Sequence, residues 1–162
     1  MQRAFTLVEL SIVLVILGLL VGGVLTGQSL IRAAELRSVS TEYQRWVTAT
    51  QTFRDKYFAL PGDMTNATSF WGSAGGTGSN NACQIASHAG TATCNGNGND
   101  IVTWNGAVAE STHYWQHLAN AGMIEGKYNG SQSLIPGTSV PISKMNPAYF
   151  NVEKGDGYFL ST

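Results

Sequence analysis

Apolar and polar positions divide the chain into three stretches of different rhythm. From Phe5 to Gly27 the sequence FTLVELSIVLVILGLLVGGVLTG is almost continuously apolar: the sixteen residues Leu10 to Leu25 include no charge, and only Ser11 is clearly polar. Roughly 20 such residues let a helix cross a hydrocarbon core of about 30 Å, so this stretch predicts one membrane span. From Gln28 to Phe58 there is neither Pro nor Gly, and Leu36, Val39, Tyr43, Trp46, Phe53 and Tyr57 recur at three- and four-residue steps, with Thr50 in the one gap. Arg32, Glu35, Arg37, Glu42, Arg45, Arg54, Asp55 and Lys56 mostly take the other faces. That is the stripe of an amphipathic helix. The two stretches together predict one helix from about Phe5 to Tyr57, about 80 Å long at 1.5 Å per residue, with its aromatic stripe laid on a sheet.

Leu60-Pro61-Gly62-Asp63 ends that helix, because Pro lacks an amide donor and Gly opens a turn. Phe70 and Trp71 are expected to cover the helix end. Beyond them Glu110 to Ala121 reads as a second helix stopped at Gly122, with Trp115, Leu118 and Ala119 inward and Tyr114 at the border. Ile101–Asn105, Ser139–Ile142, Tyr149–Val152 and Gly157–Ser161 read as short strands, kept to edges by Pro136, Pro141 and Pro147. The fold class expected is α+β, a long N-terminal helix packed on a small antiparallel β-sheet domain.

Glu9 is the exception inside the first stretch, a carboxylate in lipid where charge is costly. If the chain were cut between Ala4 and Phe5, the new ammonium at Phe5 would lie one helical turn from Glu9. Ala4, then FTLVEL and a long apolar helix, resembles the N-terminal signature of type IV pilins and type II secretion pseudopilins, with Ala4 where that family usually has Gly. The resemblance implies cleavage between Ala4 and Phe5 by prepilin peptidase, methylation of Phe5 and a filament-assembly role for Glu9. LPGDM with NA and FW behind it, and E..HYWQHLANAGMIEG, resemble a subgroup of the same proteins. Arg3 is the only charged side chain before the span, which places the N-terminus in the cytoplasm and the rest outside.

This gives a leader at 1–4, a membrane half at 5–27, an amphipathic half at 28–58 and a periplasmic or extracellular domain at 59–162. Gly18, Gly22, Gly23 and Gly27 form two small-xxx-small pairs that allow close helix approach in lipid. Two other readings of the N-terminus stand beside this one. A secretory signal peptide cut near LTGQS leaves Glu9 unexplained. A signal anchor would hold a periplasmic binding module that does not polymerise.

Composition adds three points. Charged residues make up only 12% of the chain, and the 19 glycines fall mostly after residue 60 among many Asn, Ser and Thr, as in loop-rich extracellular domains. After Tyr57 there are three lysines against six acidic residues, a net of minus three, which argues against nucleic acid as a partner. Cys83 and Cys94 stand alone in a Gly/Ser/Asn-rich stretch that buries too little apolar surface to order itself. A disulfide between them is expected in an oxidising compartment.

Two candidate metal sites need weighing. Asn95 to Asp100, NGNGND, offers oxygen ligands for calcium but a single carboxylate, so a turn is the better reading. Glu110, His113 and His117 share one helix face and could hold zinc, yet no fourth ligand is evident; a solvated face is the better reading. The expected function is a structural filament subunit, with no catalytic residue and no cofactor. Its partners are other copies or related pilins, the prepilin peptidase and the inner membrane.

Overall fold

The first helix forms as the pattern predicts. In the computed structural model, which describes residues 6–74, 90–103, 110–131, 133–144, 149–153 and 157–161, α1 runs without a break over Leu7–Tyr57. Its hydroxyls bond back to the carbonyls of the preceding turn, Ser11 to Val8 (2.8 Å), Thr26 to Gly22 (2.8 Å) and Ser29 to Thr26 (2.8 Å). Each polar side chain of the apolar half is thereby satisfied within its own helix, as a hydrocarbon environment requires. The chain divides into two compact units, Met1–Ser38 and Val39–Thr162.

In the first unit nothing from residue 6 to 26 is buried. Leu7, Leu10, Val13, Leu17, Leu20 and Val24 all stand more than half exposed. This helix is long and apolar enough to cross a membrane.

The second unit is built on the C-terminal part of α1. Trp46, Ala49 and Phe53 are buried, and Thr50, which fills the gap in the aromatic stripe, hydrogen-bonds the Tyr114 hydroxyl. The stripe lies mainly on a helix and not on a sheet: Trp46 meets Trp115 edge-on at 5.3 Å and Phe150 at 6.0 Å. Phe53, fully buried, packs among Tyr57 (4.5 Å), Trp71 (6.2 Å) and the His117 ring (6.4 Å). Trp71 closes the core at the end of α1, whereas Phe70 touches Tyr57 at 5.3 Å and remains 56% exposed.

Two short helices follow α1, α2 at Ala67–Trp71 and α3 at Glu110–Asn120. Gly122, at φ +72, ends α3 with the bonding of a Schellman motif: Met123 N–H donates to Leu118 O (3.0 Å) and Gly122 N–H to Ala119 O (2.9 Å). The expected amphipathic α3 is corrected, because Glu110 through Leu118 are all buried. Among the described residues the sheet is a single antiparallel hairpin, β1 at Tyr149–Glu153 and β2 at Gly157–Ser161, with Asn151 opposite Phe159. Two of the expected strands therefore form. Ser139–Ile142 is not a strand but makes isolated contacts, a bridge between Pro136 and Val140 and the Phe150 N–H donating to Pro141 O at 3.2 Å. Ile101–Thr103 is not a strand, and Trp104 and Asn105 lie outside the described residues.

Candidate assembly site and the buried polar cluster

At the start of α1 the sequence Thr6-Leu7-Val8-Glu9 closes on itself. Glu9 Oε2 accepts the Thr6 backbone N–H at 2.9 Å and the Thr6 hydroxyl at 2.8 Å, while Thr6 Oγ1 accepts the Glu9 backbone N–H at 3.3 Å. This reciprocal pair is a capping box, which satisfies amides that every helix start leaves without an intrahelical partner. Leu10 N–H to Thr6 O, 3.2 Å, is the first helical bond. The Glu9 carboxylate is held by its own helix start, and it is fully accessible on the rim of an otherwise apolar cylinder. The Thr-x-x-Glu spacing carried this signal, which the hydrophobic pattern around it concealed. Ala4 and Phe5 lie outside the described residues.

The second cluster sits in the globular unit, where Glu110, His113 and His117 do share a face of α3, but an inward one. Their expected solvated face is corrected: exposure is 0%, 1% and 0%. Gly62 N–H donates to His117 Nδ1 at 2.9 Å, so the proton resides on Nε2, which donates to Thr93 Oγ1 at 2.9 Å. Thr93 Oγ1 in turn donates to Gln116 Oε1 at 2.7 Å, and Gln116 Nε2 to Ala92 O at 2.9 Å. Both imidazole nitrogens are thus used within the chain. Burial, with His113 beside it, pushes His117 down to about 3.

Two carboxylates hold the loop that precedes α3. Asp63, 2% exposed, accepts Gly98 N–H (2.7 Å) and Asn99 N–H (3.3 Å) on Oδ1 and Asp100 N–H (2.7 Å) on Oδ2. Glu110 accepts the Thr103 N–H (3.0 Å) and hydroxyl (2.9 Å) on Oε2 and Asn97 N–H (3.3 Å) on Oε1. Burial raises the Glu110 carboxyl above its ordinary value against the hydrogen bonds from Thr103, and the nearby Asp63 adds to the rise.

NGNGND therefore forms a concavity of backbone donors around an internal carboxylate, the polarity opposite to that of a calcium loop. Residues 97–100 are held by these bonds rather than by apolar burial, and residues 75–89 of the same stretch lie outside the described residues. No group of three His, Cys, Asp or Glu suited to a metal occurs among the described residues. Cys94, 2% exposed, is not a free thiol; Cys83 lies outside the described residues.

No curated protein and no solved structure matches the chain. Residues 1–25 match the family model described as a prokaryotic N-terminal methylation motif. The chain accordingly carries, over its first 25 residues, the N-terminal signature of type IV pilins and pseudopilins.

Proposed function

We propose that this chain is a structural subunit, a major or minor pilin or pseudopilin, of a type IV pilus or type II secretion-type filament. The observation that carries the reading is a methylation signature over residues 1–25 placed on an exposed apolar helix whose only early charge is Glu9. Prepilin peptidase cuts between Ala4 and Phe5, and Phe5 is methylated. The chain waits in the inner membrane with its N-terminus in the cytoplasm, then leaves it for a periplasmic or surface filament. No enzymatic role is assigned, in keeping with a signature borne by structural proteins.

Helix packing drives this assembly. Among the described residues the Glu9 carboxylate is met by Thr6; in a filament the ammonium of a neighbouring Phe5 joins it, a charge-assisted hydrogen bond strengthened by desolvation. The glycines of the span, Gly18, Gly22, Gly23 and Gly27, have nothing within 4 Å of an added Cβ and leave room for close helix approach. A disulfide between Cys83 and Cys94 staples the glycine-rich loop of the outer domain. Its net charge of minus three fits adhesion or secretion better than direct contact with nucleic acid.

The test is the intact mass and N-terminal sequence of the protein recovered from cell envelopes. A start at Phe5 with one added methyl group is expected. A start at Met1 would support the signal-anchored module that does not polymerise, and a start near Gln28 would mean a secreted soluble domain.

A further inference from the structure

A cavity of ≈ 380 Å³ lies within the unit Val39–Thr162, between α1, α3, β1 and the loop held by Asp63. Its floor is buried and mainly apolar, made by Leu60, Val102 and Val152. The Tyr114 hydroxyl, hydrogen-bonded to Thr50, adds one polar point to it. A concave apolar site with a few placed polar groups is the form that takes a small molecule, and such sites run from about 300 to 1,000 Å³.

Two charges of opposite sign stand on its exposed rim, Arg54 from α1 and Asp100 from the loop. Among the described residues neither side chain makes an ion pair or a hydrogen bond, with the other or with anything else. The main chain under Asp100 is nevertheless fixed. Its N–H donates to Asp63 Oδ2 at 2.7 Å, and at φ +59 it holds a left-handed conformation that aspartate tolerates better than most residues. The carboxylate is therefore carried by a backbone already in place before a ligand arrives.

These features select a ligand class. A phosphate or another plain anion would be repelled by Asp100, and a plain cation by Arg54. A wholly apolar molecule would desolvate both charges and pair neither. A metal ion would find one carboxylate with a guanidinium beside the same opening. An ammonium and a carboxylate borne together on an apolar body answer all three parts of the site. The smallest molecule of that kind is an α-amino acid with an apolar side chain.

We propose that this cavity binds a free apolar α-amino acid, its carboxylate on Arg54, its ammonium on Asp100 and its side chain over Leu60, Val102 and Val152. The guanidinium fork suits a carboxylate in two parallel hydrogen bonds. The site belongs to the outer domain and stands whether or not the chain forms filaments.

The test is a saturation-transfer NMR titration of the full-length chain in detergent at pH 7. L-leucine is expected to bind saturably with a Kd of about 1 mM or below, and N-acetyl-L-leucine and L-leucinamide, each lacking one charge, to bind at least about tenfold more weakly. Arg54→Gln should weaken leucine to the level of leucinamide while leaving leucinamide unchanged. Asp100→Asn, which keeps a residue suited to the left-handed backbone, should do the same against N-acetylleucine. Both positions are exposed, so the thermal midpoints should hold. No saturation by leucine, isoleucine, valine or phenylalanine up to about 10 mM would overturn the proposal. So would equal affinity for the capped forms, wild-type binding in both variants, or tighter binding of leucyl-leucine than of leucine, which would make a peptide the occupant.

Discussion

His117 shows how much one buried side chain can govern. Its Nδ1 accepts from Gly62, its Nε2 donates to Thr93, and its ring stacks on Phe53 with an interplanar angle of 10°. Burial penalises the charged ring and His113 lies beside it, which is why the folded value falls to about 3. A group depressed in this way contributes stability that is complete above its unfolded value near 6.5 and is lost as the pH falls toward 3. Glu110, raised above 4.5, contributes stability below that value and loses it as the pH rises through its folded value. The stability of the full-length chain in detergent is therefore expected to fall between pH 6 and pH 4 by up to about 1.4 kcal/mol per pH unit, read as a falling thermal midpoint. His117→Phe should cost about 1–3 kcal/mol at pH 7 by stranding the Gly62 amide and should flatten the acid slope. An unchanged slope in that variant would assign the acid response to another group.

Turns and helix ends respond by different physics, which glycine substitutions separate. Gly122 has a positive φ, but an added Cβ would meet nothing within 4 Å. Gly122→Ala should therefore cost only the left-handed strain, about 1–2 kcal/mol. Gly96 is the opposite case: an added Cβ would lie 2.3 Å from Asp63 Cα and 2.5 Å from Gly62 O, both backbone. Gly96→Ala should cost about 3 kcal/mol or more through overpacking and should free the loop from Asp63. Equal losses in urea unfolding of the two variants would contradict this account. The same contrast explains what could be read from the chain. The bounds of α1 and α3 were legible because periodicity, Pro61 and Gly122 mark them. The burial of α3 on every side was not, since Glu110, His113, Gln116 and His117 read as a solvated face until Asp63, Thr93 and the loop amides are brought to them. The hairpin could be anticipated from its apolar residues. That the Trp46 stripe packs chiefly on Trp115 depends on tertiary arrangement, which helical spacing alone does not contain.

At the scale of the whole molecule the two compact units carry different demands, and Glu9 separates them. It sits in the unit Met1–Ser38, while the hydrogen-bonded cluster and the aromatic core belong to Val39–Thr162. The Thr-x-x-Glu start was visible as spacing, but its meaning depends on context: in a water-soluble helix a capping box only stabilises the first turn, whereas in lipid it also holds a charge until a better partner arrives. Glu9→Gln keeps an acceptor oxygen for the Thr6 amide, so the helix start survives, but it removes the charge that a neighbouring ammonium would meet. The variant is expected to fold its outer domain normally, with an unchanged thermal midpoint, and to remain in the membrane fraction with little protein sheared from the cell surface. Thr6→Ala separates the two roles of the carboxylate. It leaves the charge in place but removes the hydroxyl from both sides of the box, so its filaments should form at reduced yield rather than disappear. If Glu9→Gln released filaments at the wild-type level, the carboxylate would be a helix cap and nothing more, and assembly would have to rest on apolar packing and on contacts between the outer domains.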